Sequence, residues 1–115
     1  MGDWKLYSFN ANGQFYHDPQ SITHPSENIV RVWERMNFTE KGVINWLGQL
    51  GKGYENLSQT KALHEIDCAE KKQRVLSLTY YDKKGKVIWN NEGLSELNFS
   101  VPDTIAESLY KEICK

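Results

Sequence analysis

The residues of this chain best suited to chemistry are three histidines, His17, His24 and His64, and two cysteines, Cys68 and Cys114. A metal site written into local sequence sets its ligands a few residues apart, as in H-x-x-x-H or C-x-x-C. The histidines form no H-x-x-x-H or H-x-x-E-H pattern and the cysteines no C-x-x-C pattern, so a metal centre would need long-range convergence. Serines and aspartates are plentiful, but no G-x-S-x-G elbow and no glycine-rich phosphate loop accompanies them. The expectation is no catalytic residue, no metal and no cofactor. The cysteines are open to two readings at this point, a pair of buried thiols, since free cysteine is among the most buried residue types, or a bridge.

A second group of side chains is suited to binding. Lys71, Lys72 and Arg74 cluster just after Cys68, and Arg31 and Arg35 alternate along an upstream apolar-polar run. Such a cluster is ordinarily a solvated turn. Together with Arg31 and Arg35 on an adjacent wet face, it is also a candidate site for an acidic or sulfated ligand. Nucleic acid is not the expected partner, because the chain carries a net charge of −1 and phosphate recognition calls for a basic excess. Aromatic residues make up 12% of the sequence. Trp33, Tyr81 and Trp89 are expected in the core or in cross-strand pairs, and an exposed pair would instead form a stacking platform for sugar or peptide.

The elements that position these residues follow from hydrophobic period. The closing stretch, Phe99 to Lys115, reads as a helix: Ile105, Ala106, Leu109, Tyr110, Ile113 and Cys114 form one apolar stripe, leaving Glu107, Ser108, Lys111 and Glu112 outside. Ser100 and Asp103 resemble a capping box around Pro102 in the first turn. Strands are expected over Trp4 to Phe9, Gln14 to His17, Asn28 to Phe38, Lys61 to Cys68, Gln73 to Tyr81 and Lys86 to Trp89. A turn at Asn10 to Gly13 joins the first two and one at Asp82 to Gly85 joins the last two, while His24 to Ser26 reads as loop. Thr39 opens a second, shorter helix through Val43, Trp46, Leu47 and Leu50, weakened by Gly42 and Gly48. Asn56 to Thr60 is too polar to assign. The fold class is therefore α+β: about six mainly antiparallel strands, a C-terminal helix on one face and a short helix in the middle. At 115 residues the chain is a single domain.

Specific strings occur along this order: WKLYS at the start, then FYHDPQSI, NIVRVW, HEIDC, RVLSLTYYDKKGKVI, and VPDTIAESLYKEIC at the end. In that order they resemble the surface-adhesin protein E family of exported bacterial proteins, over nearly the whole chain. The resemblance implies an antiparallel sheet whose C-terminal helix is held on one face by a disulfide, mapping here onto Cys68 and Cys114. It also implies a non-catalytic adhesion module of the cell envelope, in the periplasm or at the cell surface, whose partner is a host or extracellular protein or a glycan. The alternative is a periplasmic binder of small ligands or glycans that uses exposed aromatics.

No run approaches the length of a transmembrane helix, and MGDWKLYS is not a signal peptide. Met1 and Gly2 directly before a strand read as a start placed where a mature domain begins, with the export signal removed. The chain is expected as a monomer or a weak dimer paired through an edge strand.

Overall fold

The computed structural model describes residues 3–92, 98–99 and 104–115. Strands β1 (Lys5–Asn10) and β2 (Gly13–His17) form the opening hairpin, closed by Asn10, whose Oδ1 accepts the N–H groups of Asn12 at 2.8 Å and Gly13 at 3.2 Å. Proline cannot donate to a ladder, so β2 stops at Asp18-Pro19, and Asp18 caps a short 3-10 turn over Pro19–Ser21. There follow β3 (Thr23–Ser26), β4 (Ile29–Phe38), helix α1 (Glu40–Leu50), β5 (Leu57–Asp67), β6 (Lys72–Asp82), β7 (Val87–Asn91), β8 (Asn98–Phe99) and helix α2 (Ile105–Ile113). The strands form one antiparallel sheet in the order β1-β2-β4-β5-β6-β7, with β3 paired to β4 and β8 to β6. The α+β class, the two hairpin turns and both helices agree with the sequence reading. Gly85 takes φ +82 in the β6–β7 turn, a conformation that L side chains rarely adopt.

Three readings need correction. The segment Asn56 to Thr60 belongs mostly to β5, because backbone pairing to β6 carries it where apolar alternation is weak. Thr23–Ser26 is a strand, held to the first half of β4 although all four of its residues are exposed. The C-terminal helix begins at Ile105, and Phe99 lies in β8. Thr104 is its N-cap, with Oγ1 accepting the N–H of Glu107 at 3.2 Å, so the Thr-x-x-Glu pattern marks the true start. Ser100, Pro102 and Asp103 lie outside the described residues.

Alternation divides the sheet into two faces. On one, Val32 and Ile66 are fully buried under Leu109 of α2, with Tyr7, Ile22, Cys68, Tyr110, Ile113 and Cys114 packed around them. The other end of this face is covered by α1, where Phe38 meets Trp46 edge-on at 5.3 Å between ring centroids. Helix α1 lies so close to the β1–β2 turn that a Cβ on Gly42 would stand 1.9 Å from the Asn12 carbonyl oxygen. The glycine that weakens the helix is thus what lets it dock. Cys68 and Cys114 are joined by a disulfide with their Cα atoms 5.6 Å apart, tying the end of α2 to the β5–β6 turn. The opposite face presents Arg31, Trp33 and Arg35 from β4, Lys61 and Glu65 from β5, and Arg74, Thr79 and Tyr81 from β6, aligned by the register of the three strands.

Candidate binding site

Under the helices lies a polar network that the sequence reading did not assemble. Glu34, midway along β4, accepts a hydrogen bond from the Tyr7 hydroxyl, and its other oxygen is 3.0 Å from His64 Nε2. Burial by itself pushes the Glu34 carboxyl up, but the charge of His64 and the hydrogen bonds from His64 and Tyr7 outweigh it and hold Glu34 below the usual carboxylate range. Burial, reinforced by the charge of Glu34 and its hydrogen bond, pushes the Tyr7 hydroxyl far above its ordinary value. A neighbouring pair, His17 Nε2 and Glu112 Oε2 at 3.2 Å, links β2 to α2, with Lys5 Nζ 3.4 Å from the same carboxylate oxygen. Among the described residues no group of three histidine, cysteine, aspartate or glutamate side chains converges to hold a metal ion. Each member of the Tyr7–Glu34–His64 network is occupied by another, so the network braces the covered face.

The basic residues singled out from sequence are not brought together as one patch. Arg31 and Arg74 flank Glu65 on the open face, with Arg31 Nε 2.9 Å from one carboxylate oxygen and Arg74 Nη2 2.6 Å from the other. Glu65 is buried; burial raises its carboxyl, and hydrogen bonds and charge from the two arginines bring it below the usual range. Lys71, in the β5–β6 turn, reaches Glu107 at 3.3 Å and lies over the Tyr110 ring. Glu107, expected on the outside of the C-terminal helix, is therefore buried, while Ala106, expected in the apolar stripe, is exposed. The correction has a simple cause: two lysines, Lys71 and Lys111, neutralise the carboxylate from either side. Lys72 begins β6.

Arg35 is placed differently. Its guanidinium lies over the rings of Trp4, at 5.0 Å, and Tyr16, at 4.8 Å, and its buried Nε has no hydrogen-bond partner among the described residues. Next to it, Trp4, Trp33, Lys61, Thr79 and Tyr81 line an open cleft of about 270 Å³. Arg35 and Lys61 are direct partners across β4 and β5, and Lys61 in turn lies 5.3 Å from the centroid of the Tyr81 ring. Trp33 and Tyr81 thus face solvent on the open face, whereas Trp89 packs against Tyr80 across β6 and β7. The signal for this cleft was present in the alternation of Trp33, Arg35, Lys61, Thr79 and Tyr81. The register that sets them side by side was not.

Comparison with known proteins places this arrangement in context. The chain covers 99% of itself and 88% of a crystal structure of Haemophilus influenzae protein E, with a TM-score of 0.66 at 17% identity. A second structure of the same protein gives a TM-score of 0.64 at 17% identity, over 99% of this chain and 85% of that one. At that identity the likeness establishes a shared fold. No curated protein sequence matches the chain. The family model for Surface-adhesin protein E matches residues 4–115, and the chain belongs to the surface-adhesin protein E family.

Proposed function

We propose that this chain is a non-catalytic adhesion module, exported to the bacterial surface, that meets a host or extracellular partner through the open face of its sheet. The observation that carries this reading is the family match over residues 4–115. Two features of the molecule support it. The Cys68–Cys114 disulfide belongs to the oxidising compartments outside the cytoplasm. The two helices and the bracing network occupy one face, leaving the other, with its aromatic cleft and the cations Arg35 and Lys61, for contact with a partner. Of the five basic residues expected to bind, Arg31 and Arg74 are already engaged by Glu65 and Lys71 by Glu107, and Lys72 is likewise engaged and does not line the cleft, which leaves Arg35, beside it, as the one best able to contribute.

The test is binding of fluorescently labelled protein to a fixed epithelial cell layer, with an unrelated disulfide-bonded domain of similar charge as control. Saturable binding that exceeds the control is expected; binding no greater than the control overturns the adhesion reading. For placement, protease added to intact bacteria producing the full-length precursor should digest it at the surface. Full protection until the outer envelope is opened would instead assign it to the periplasm.

A further inference from the structure

We propose that the cleft lined by Trp4, Trp33, Lys61, Thr79 and Tyr81 binds a carboxylate-bearing pyranose, the sugar ring stacking on the aromatic walls and its carboxylate held by Lys61 and Arg35. This deepens the adhesion reading by naming a ligand class, and it rests on that reading's assignment of the open face as the contact surface.

The charge arrangement comes first. The basic residues on the Glu65 row are neutralised: Arg31 and Arg74 share one carboxylate. Two rows further along the sheet, past Trp33 and Leu63, Arg35 and Lys61 are adjacent with no carboxylate partner among the described residues, and no acidic residue among those described lines the cleft. Two neighbouring cations bordering a partly enclosed apolar site attract an anion, and the local dielectric makes that attraction stronger than in open water. Arg35 borders the cleft and is held in place, because its flat face lies over Trp4 and Tyr16 and its Nε is buried, so ordering its guanidinium toward an anion costs little entropy.

The walls select the rest of the ligand. Three aromatic rings offer flat apolar surface of the kind that the C–H face of a pyranose covers. Thr79 supplies polarity at the rim: its hydroxyl donates to Asn90 Oδ1 at 2.9 Å, which leaves the Thr79 oxygen to accept from a sugar hydroxyl. A volume of about 270 Å³ falls at or below the small end of ligand sites and suits one ring-sized group. A flat aromatic anion would satisfy the rings and the cations but leave the Thr79 oxygen unused, and a neutral sugar would leave both cations unanswered.

The experiment titrates the intact oxidised protein with glucuronate, glucose and benzoate while following the indole N–H signals of its four tryptophans by two-dimensional NMR. Glucuronate is expected to shift Trp4 and Trp33 with a dissociation constant of about a millimolar, leaving Trp46 and Trp89 still, and to bind at least about five-fold more tightly than glucose or benzoate. Lys61→Gln and Arg35→Gln should each weaken glucuronate binding by about five-fold or more, while Arg74→Gln, on the same face but outside the cleft, should not change it. If Arg35→Gln does not fold, Lys61→Gln decides. Equal binding of glucose, benzoate binding as tight as glucuronate, shifts confined to Trp46 or Trp89, or no shifts at all would each overturn the proposal. Because the probe is a free sugar, such a failure is distinguishable from failure of the cell-layer assay.

Discussion

The two faces of the sheet solve the problem of polar residues in opposite ways. On the covered face, Glu34 is answered by Tyr7 and His64, Glu112 by His17 and Lys5, and Glu107 by Lys71 and Lys111; of the histidine nitrogens there, His17 Nδ1 is buried without a partner among the described residues. On the open face, compensation stops partway along the strands: the Arg31–Glu65–Arg74 row is closed, while the Arg35–Lys61 row, two rows on, has no carboxylate partner among the described residues. A buried charge left alone is costly, so each of these carboxylates on the covered face must be answered for the chain to fold. A solvent-facing charge left alone costs little, so the open face can keep hydrogen-bonding capacity for a partner. The difference separates what holds the molecule together from what it can offer.

If that division is right, substitutions on the covered face should cost stability and those on the open face should not. The largest effect should come from the disulfide. Joint replacement of Cys68 and Cys114 by serine releases a loop closed over 46 residues, and should lower unfolding stability by about 4 kcal/mol in a denaturant titration. Glu34→Ala comes next, at about 3 kcal/mol, because it strands His64 and the Tyr7 hydroxyl under the helices. Gly42→Ala should cost about 2 kcal/mol by pushing α1 off the Asn12 carbonyl, whereas Gly48→Ala, with nothing within 4 Å, should gain up to about 1 kcal/mol. Lys61→Gln on the open face should stay within about 0.5 kcal/mol. A loss of several kcal/mol at Lys61, or none at Glu34, would break the division.

Acid should act through the answered carboxylates, two on the covered face and one on the open face. Glu34 and Glu112, on the covered face, and Glu65 all have carboxyls held below their ordinary value of 4.5. For Glu112, burial raises the carboxyl and the hydrogen bond from His17, with Lys115 and Lys5, more than reverses it. The unfolded chain therefore takes up protons first as pH falls. The stability these groups contribute is complete above 4.5 and is lost as pH drops through their folded values. Thermal midpoints measured across that window should fall steadily, and Glu34→Gln should flatten part of the slope.

Much of the frame was legible because it rests on repetition. Leu109, Ile113 and Cys114 recur at helical spacing, and Val30, Val32 and Met36 alternate, so the apolar side of α2 and the inward side of β4 could be read directly. Thr23–Ser26 could not be, since it is exposed and contains Pro25, and it is held by its pairing to β4. Glu107 looked like a surface residue because what buries it, Lys71, arrives from a turn 36 residues away in sequence. The arrangement of the basic residues was hidden for the same reason. Arg31 and Arg35 are alike in sequence, and only the register that sets one against Glu65 and the other against Lys61 makes one an ion pair and leaves the other stacked on aromatic rings without a carboxylate among the described residues.

The most direct test of that separation is a charge reversal at Lys61, in the row without a carboxylate among the described residues. Lys61→Glu should leave the thermal midpoint of the oxidised protein within about 2 °C of the parent. It should also abolish saturable binding to the epithelial cell layer. Undiminished binding by the folded variant would contradict the account, because the surface that meets the partner would then lie elsewhere on the molecule.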